Sequence, residues 1–160
     1  IASAMLALPK DVHLLVVGDG PEKSELEARA KREGWGDRLT ITGYVPIAEV
    51  PSLMRAMDCF VLGSRTTSTW TDTFPLVVAQ AMATGIPVIG SSSGAIPYQL
   101  GQEGLVFDEG DSISLSKHIV TLYNNQELRN HIGKKLRERA LQKFCVEGIN
   151  HSFLKFLESI

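Results

Sequence analysis

The chain is 160 residues long, 44% apolar and 21% charged, with 18 acidic against 16 basic residues and a formal charge of -2. These values fit one soluble globular domain, able to bury roughly two-thirds of its unfolded surface without a disulfide or metal staple. They exclude disorder and argue against a nucleic-acid-binding domain, which gathers positive charge on one face. Cys59 and Cys145 lie far apart in apolar surroundings, which suits a reducing compartment. No apolar run approaches the ~18 residues of a membrane span. The chain opens Ile1-Ala-Ser-Ala-Met5, without a starting methionine or signal-peptide pattern, and reads as a fragment of a longer protein.

The apolar run His13–Val17 stops at Gly18, the pattern of a strand buried on both faces. Glu22–Arg32, rich in Glu, Lys, Ala and Leu, predicts a helix with Pro21 in its first turn and Gly34 beyond its end. Leu39–Thr42 is a second strand, followed by Gly43. Val50–Met57 reads as a short helix and Cys59–Leu62 as a third strand. A polar loop over 63–73 leads into a helix from about Phe74 to Thr84, ended by Gly85. Pro87–Ile89 and Gly104–Phe107 are the fourth and fifth strands, and helices follow near 112–124, 127–143 and 146–159.

Strands and helices alternating at this spacing imply βαβ units. The expected fold is α/β, a Rossmann-like doubly wound parallel sheet forming a single domain over residues 1–160. Ligands of such sheets bind outside the carboxyl ends of the strands. Four glycine-bearing loops lie there: Gly18–Pro21, Gly43–Val45, Gly63–Phe74 and Gly90–Pro97.

Gly18-Asp-Gly-Pro21 is not the dinucleotide fingerprint, because Lys23 stands where a third small residue is needed. A tight turn and a ligand-facing loop explain it equally well. The stretch from Gly63 to Gly94 carries more. Its loop holds Arg65, Trp70 and Asp72, and the helix behind it offers the free N–H groups of Leu76 and Val77 to an anion. Asp72 reads as well as a helix cap, and Gln80 as a solvent-facing helix position, although the neighbours of Gln80 are apolar. His13, His118, His131 and His151 show no metal-ligand spacing.

At these residues the sequence resembles the donor-binding C-terminal half of a retaining glycosyltransferase with the GT-B fold, family GT4. The match lies in Val17-Gly-Asp-Gly-Pro21, Ile41-Thr-Gly-Tyr-Val45, Asp72-Thr-Phe-Pro-Leu76, Gln80-Ala-Met-Ala-Thr-Gly-Ile-Pro-Val-Ile89 and Ser93-Gly-Ala-Ile-Pro97. It runs from about Pro9 to Ile160.

The resemblance implies a nucleotide-diphosphate sugar as donor. Gly18 and Gly20 would line the donor cleft, and Tyr44 and Val45 would contact the nucleobase through backbone. Asp72 would be the catalytic carboxylate facing the sugar. The helix opening at Phe74 would hold the diphosphate on Leu76 and Val77, and Gln80 would hold the ribose. No metal or other cofactor is expected.

Asp72 and Gln80 replace two glutamates of the family pattern, and Pro75 replaces a glycine. The alternative is therefore a catalytically degenerate nucleotide-sugar-binding module. The family's N-terminal domain, which binds a sugar or lipid-linked acceptor, and the first strand of the donor domain would precede this chain. So would an Arg and a Lys that stabilise the leaving diphosphate, and the fragment alone is not expected to catalyse transfer. A cytoplasmic setting follows, with contact at the inner face of the membrane left open by six cations over 127–143 against Glu127 and Glu138. A solvated helical face explains that run better. A sugar-nucleotide epimerase would need a histidine at a strand's carboxyl end. A nicotinamide-dependent oxidoreductase would need the missing fingerprint.

Overall fold

The strands of the computed structural model, which describes residues 1–149 and 154, all pair in parallel. In chain order the elements are β1 (Leu14–Val16), α1 (Lys23–Arg32), β2 (Leu39–Ile41), α2 (Val50–Arg55), β3 (Phe60–Leu62) and α3 (Leu76–Thr84). They continue through β4 (Val88–Ser91), α4 (Ile96–Leu100), β5 (Leu105–Phe107), α5 (Ser112–Tyr123) and α6 (Gln126–Lys143). The Rossmann-like alternation expected from the sequence is present. The sheet, however, comes in two pieces: β1 beside β2, with Leu14 opposite Leu39, and β3-β4-β5, with Phe60 opposite Val88 and Ile89 opposite Leu105.

Among the described residues, β1 has no strand partner on its side away from β2, and β3 has none away from β4. This corrects the expectation of a first strand buried on both faces, since β1 is only half-buried. β4, flanked on both sides, has Val88 and Ile89 at 0% exposure. One apolar cluster joins β4 to α3, α4, α5 and α6, and a second gathers Met5, Leu8, Ala30 and Trp35. Ile119 of α5 packs against both.

Other boundaries differ for local reasons. Pro21 and Glu22 form a turn and α1 begins at Lys23. α3 begins at Leu76, because a residue before proline is pushed out of the helical region; Phe74 lies outside the helix and Pro75 caps it. Of the segment read as the loop Gly90–Pro97, Gly90 and Ser91 end β4 and Ile96 and Pro97 open α4, so the turn is confined to 92–95. Short 3-10 turns at Ala2–Ala7 and Gly36–Arg38 were not anticipated. The last expected helix is seen at 146–149, and the rest of it lies outside the described residues.

The three arginines of α6 have structural partners. Arg129 donates to the carbonyls of Leu122 and Tyr123 at the end of α5, and Arg137 to that of Ala83 at the end of α3. Arg139 donates to the carbonyls of Tyr98 and Gln99 at the end of α4. Each places positive charge at the negative end of a helix. Gly133 lets α6 cross α3 closely, since a Cβ there would stand 2.1 Å from the Gly85 carbonyl oxygen. α3 is thereby held along its length and at its C-terminus. No helix among the described residues is long and apolar enough to cross a membrane.

Candidate functional site

The carboxyl ends of β1 and β2 are stitched together by an antiparallel bridge between Gly18 and Gly43, with Gly18 N donating to Thr42 Oγ1 at 3.3 Å. Gly18 has φ +129°, a conformation that strains any side chain. Gly18 and Gly20 line a cavity of about 690 Å³, and Tyr44, 85% exposed, follows the bridge with half-buried Val45 beside it. The N–H of Gly20 donates to Asp19 Oδ1 at 2.8 Å, and Glu22 and Glu25 flank the start of α1. The cavity lining mixes Asp19, Glu22 and Glu25 with Lys23 and Arg29.

The ends of β3, β4 and β5 are tied by a residue that sequence reading did not single out. Glu109, after β5, accepts from Thr66 N at 2.7 Å and from Thr66 Oγ1 at 2.8 Å. Thr66 Oγ1 is also 2.9 Å from Ser93 Oγ, and Ser91 Oγ donates to the Ser64 carbonyl at 2.7 Å. The Thr66 hydroxyl, with the Thr66 N–H behind it, holds the Glu109 carboxyl below the usual carboxylate range. No pattern signals this role, because Asp108-Glu-Gly-Asp111 reads as an ordinary charged turn.

Asp72 is placed by its backbone, its carbonyl accepting from Ala95 N at 2.8 Å. Its half-buried side chain makes no hydrogen bond with the described residues and caps no helix, since Pro75 holds the cap position of α3. The carboxylate is free for a ligand.

Behind it, Val78 N donates to the Pro75 carbonyl at 3.0 Å, while the N–H groups of Leu76 and Val77 have no acceptor among the described residues. No acidic residue stands in the first turn of α3. Two free donors at the positive end of a helix attract an anion. Phe74, 40% exposed, lies beside them, its ring edge-on to that of Phe144 at 5.5 Å.

Gln80 is exposed one turn beyond Leu76 on the same face. It lines a groove of about 320 Å³ with Ile47, Val50, Met54, Ala83, Arg55 and Arg137. Ile47 belongs to the segment that follows Val45, so Gln80 and the loop after β2 meet at one groove. The sequence-predicted residues thus fall in separate settings: Gly18 and Gly20 line the cavity beside β1, Tyr44 and Val45 follow the bridge, Gln80 lines the groove with Ile47, and Leu76, Val77 and Asp72 lie at the start of α3. Two features were missed, the knot at Glu109 and the buried Gln99. The latter is visible in sequence only as a polar residue in the apolar run Ile96–Leu100. Among the described residues, no group of three or more His, Cys, Asp or Glu is placed to hold a metal ion.

The family model for glycosyl transferases group 1 matches residues 2–139. The N-acetyl-alpha-D-glucosaminyl L-malate synthase of Bacillus anthracis is 32% identical over 150 residues, covering 92% of this chain and 38% of that protein. A crystal structure of Anabaena HepE in complex with UDP superposes with a TM-score of 0.83 at 27% identity, covering 99% of this chain and 44% of that one. A crystal structure of the C-terminal domain of the group 1 glycosyl transferase LpcC from Francisella tularensis shares the fold, with a TM-score of 0.79 at 24% identity, 91% of this chain and 77% of that one being covered. The chain thus spans less than half the length of the first two. With the expected alternation of elements in place and the model matching most of its length, the chain belongs to the glycosyl transferases group 1.

Proposed function

We propose that this chain is the donor-binding half of a retaining glycosyltransferase that moves a sugar from a nucleotide diphosphate to an acceptor hydroxyl. The observation that carries the reading is the start of α3. Two free N–H groups, on Leu76 and Val77, stand at the positive end of a helix, four and five residues beyond an unengaged carboxylate, Asp72.

The diphosphate sits on those donors, which neutralise the charge that develops as the bond from C1 of the sugar to the phosphate oxygen breaks. Asp72 faces the sugar. Gln80 accepts from the ribose hydroxyls, and Tyr44 and Val45 border the base. The nucleotide lies with its uncharged end toward β1 and β2, where Tyr44 and Val45 follow the Gly18–Gly43 bridge. The UDP bound by the HepE relative makes UDP the first nucleotide to test.

The full protein supplies the rest in this reading. The open edges of β1 and β3 accept a further parallel strand, and the cations it brings would face the diphosphate. A preceding domain holds the sugar or lipid-linked acceptor. The reaction runs in the cytoplasm without metal. Membrane attachment through α6 is not needed to explain its arginines, which cap three helices.

The test is an NMR titration of this chain with UDP, GDP and ADP, without metal, following amide shifts. Selective movement of the Tyr44, Leu76, Val77 and Gln80 amides with one nucleotide supports the reading and names the base. If these amides stay still at millimolar nucleotide, both in the chain and in the full protein, donor binding at this edge is refuted.

A further inference from the structure

We propose that Gln99 is a positioning residue for the diphosphate end of the cleft, a role that rests on the donor-binding reading above. Its side chain is buried in α4, at 0% exposure. Nε2 donates at 3.2 Å to the carbonyl of Pro75, the cap of α3, next to the free amides of Leu76 and Val77. Oε1 is buried with no hydrogen-bond partner among the described residues.

A buried acceptor without a partner destabilises a fold, and an apolar side chain of similar size removes it. Stability alone would therefore favour leucine at position 99. What the amide supplies instead is a fixed point for the Pro75 carbonyl, and so for the direction of the first-turn N–H groups.

The grip extends in both directions. At the N-terminal end of α4, Ala95 N holds the Asp72 carbonyl at 2.8 Å. At its C-terminal end, the carbonyls of Gln99 and Tyr98 accept from Arg139 Nε at 2.7 Å and Nη2 at 2.6 Å. The same guanidinium lies 5.9 Å over the Phe144 ring, which meets Phe74. One five-residue helix thus holds both ends of the segment from Asp72 to Pro75, and the end of α6 holds that helix. Donor affinity then depends on side chains that touch no donor atom.

The experiment compares the wild-type chain with Gln99→Leu and with Arg139→Lys, which keeps the charge but not the two-carbonyl fork. Three quantities are read: the ligand-free amide resonances of Leu76 and Val77, the melting temperature, and the affinities for UDP and for uridine. In Gln99→Leu the two amides shift and the melting temperature stays or rises. UDP binding weakens about ten-fold, the effect of losing one hydrogen bond to a charged group, while uridine binding is unchanged. Arg139→Lys gives a smaller loss in the same direction, and carries the test if Gln99→Leu does not fold. Unmoved amides, or equal losses for UDP and uridine, or full UDP affinity despite shifted amides, would each overturn the proposal. A wild-type chain that binds UDP no better than uridine instead refutes the donor reading beneath it.

Discussion

Gly94→Ala tests how tightly the loop carrying Asp72 is built against the turn after β4. Gly94 has φ +52°, and an added Cβ would stand 1.9 Å from the Asp72 carbonyl oxygen and 2.7 Å from its carbonyl carbon. Both are backbone atoms, which cannot rotate aside as a flexible side chain does. The left-handed conformation alone costs roughly 1 kcal/mol for alanine. Relieving an overlap of about an ångström in a packed region adds about 1–3 kcal/mol. The expected total of about 2–4 kcal/mol lowers the melting temperature by roughly 4–16 °C for a chain of this size.

Gly34→Ala is the control, since Gly34 has φ +76° but open space around its Cβ position. It pays the conformational term only, so denaturation of the two variants separates strain from overlap. The same displacement moves Asp72, and misplacement of that order lowers transfer by the full protein about 100-fold. If Gly94→Ala loses no more stability than Gly34→Ala, the close approach of Gly94 to the Asp72 carbonyl is wrong.

Asp72→Asn in the full protein is expected to lower kcat about 100-fold with the KM for donor within a few-fold, because the carboxylate acts on the sugar and not on the nucleotide. Steady-state kinetics at saturating donor checks this, and an unchanged kcat removes Asp72 from the chemistry. Gln80→Glu is expected to tighten UDP several-fold through a charge-assisted bond to the ribose, and to leave the 2′,3′-dideoxy nucleotide unaffected. Equal gains for both, read by calorimetry, refute the ribose assignment. Burial, with a smaller contribution from Asp58, pushes the Cys59 thiol up to about 11. Its folded value is thus raised above the unfolded one, so the stability it contributes is complete below about pH 9 and declines as pH climbs toward 11. Denaturation across that range should show the decline, and thiol reagents at pH 8 should label the half-buried Cys59 much more slowly in the folded chain than after unfolding. Prompt modification of Cys59 in the folded chain contradicts the assignment.

What the sequence reveals here depends on whether the signal is local. The β-branched runs mark β1 to β5 because parallel strands need continuous apolar side chains, and each ends near its glycine. The start of α3 is harder to read. Proline at position 75 looks like a first-turn residue, yet it restrains Phe74 and takes the cap position itself, so the helix begins two residues late. The same shift separates the two readings of Asp72, which is a free carboxylate because proline already occupies the cap. α4 carries its own start signal in Ile96-Pro97, with proline in the first turn, but its five residues are too few to show a helical period.

The contacts that lock the site are legible in no window of sequence. Glu109 and Thr66 are 43 residues apart, and Arg139 and Gln99 are 40 apart. A glutamate in a turn and an arginine on a charged helix look alike wherever they occur, and only the fold decides which carbonyl or hydroxyl each one meets. The six-cation run on α6 shows the consequence. Counted along the chain, it resembles a patch for an anionic surface. In the folded chain Arg129, Arg137 and Arg139 point to the ends of three different helices. Charge counting identified which groups were available, and the packing of α6 across α3 determined what they bind.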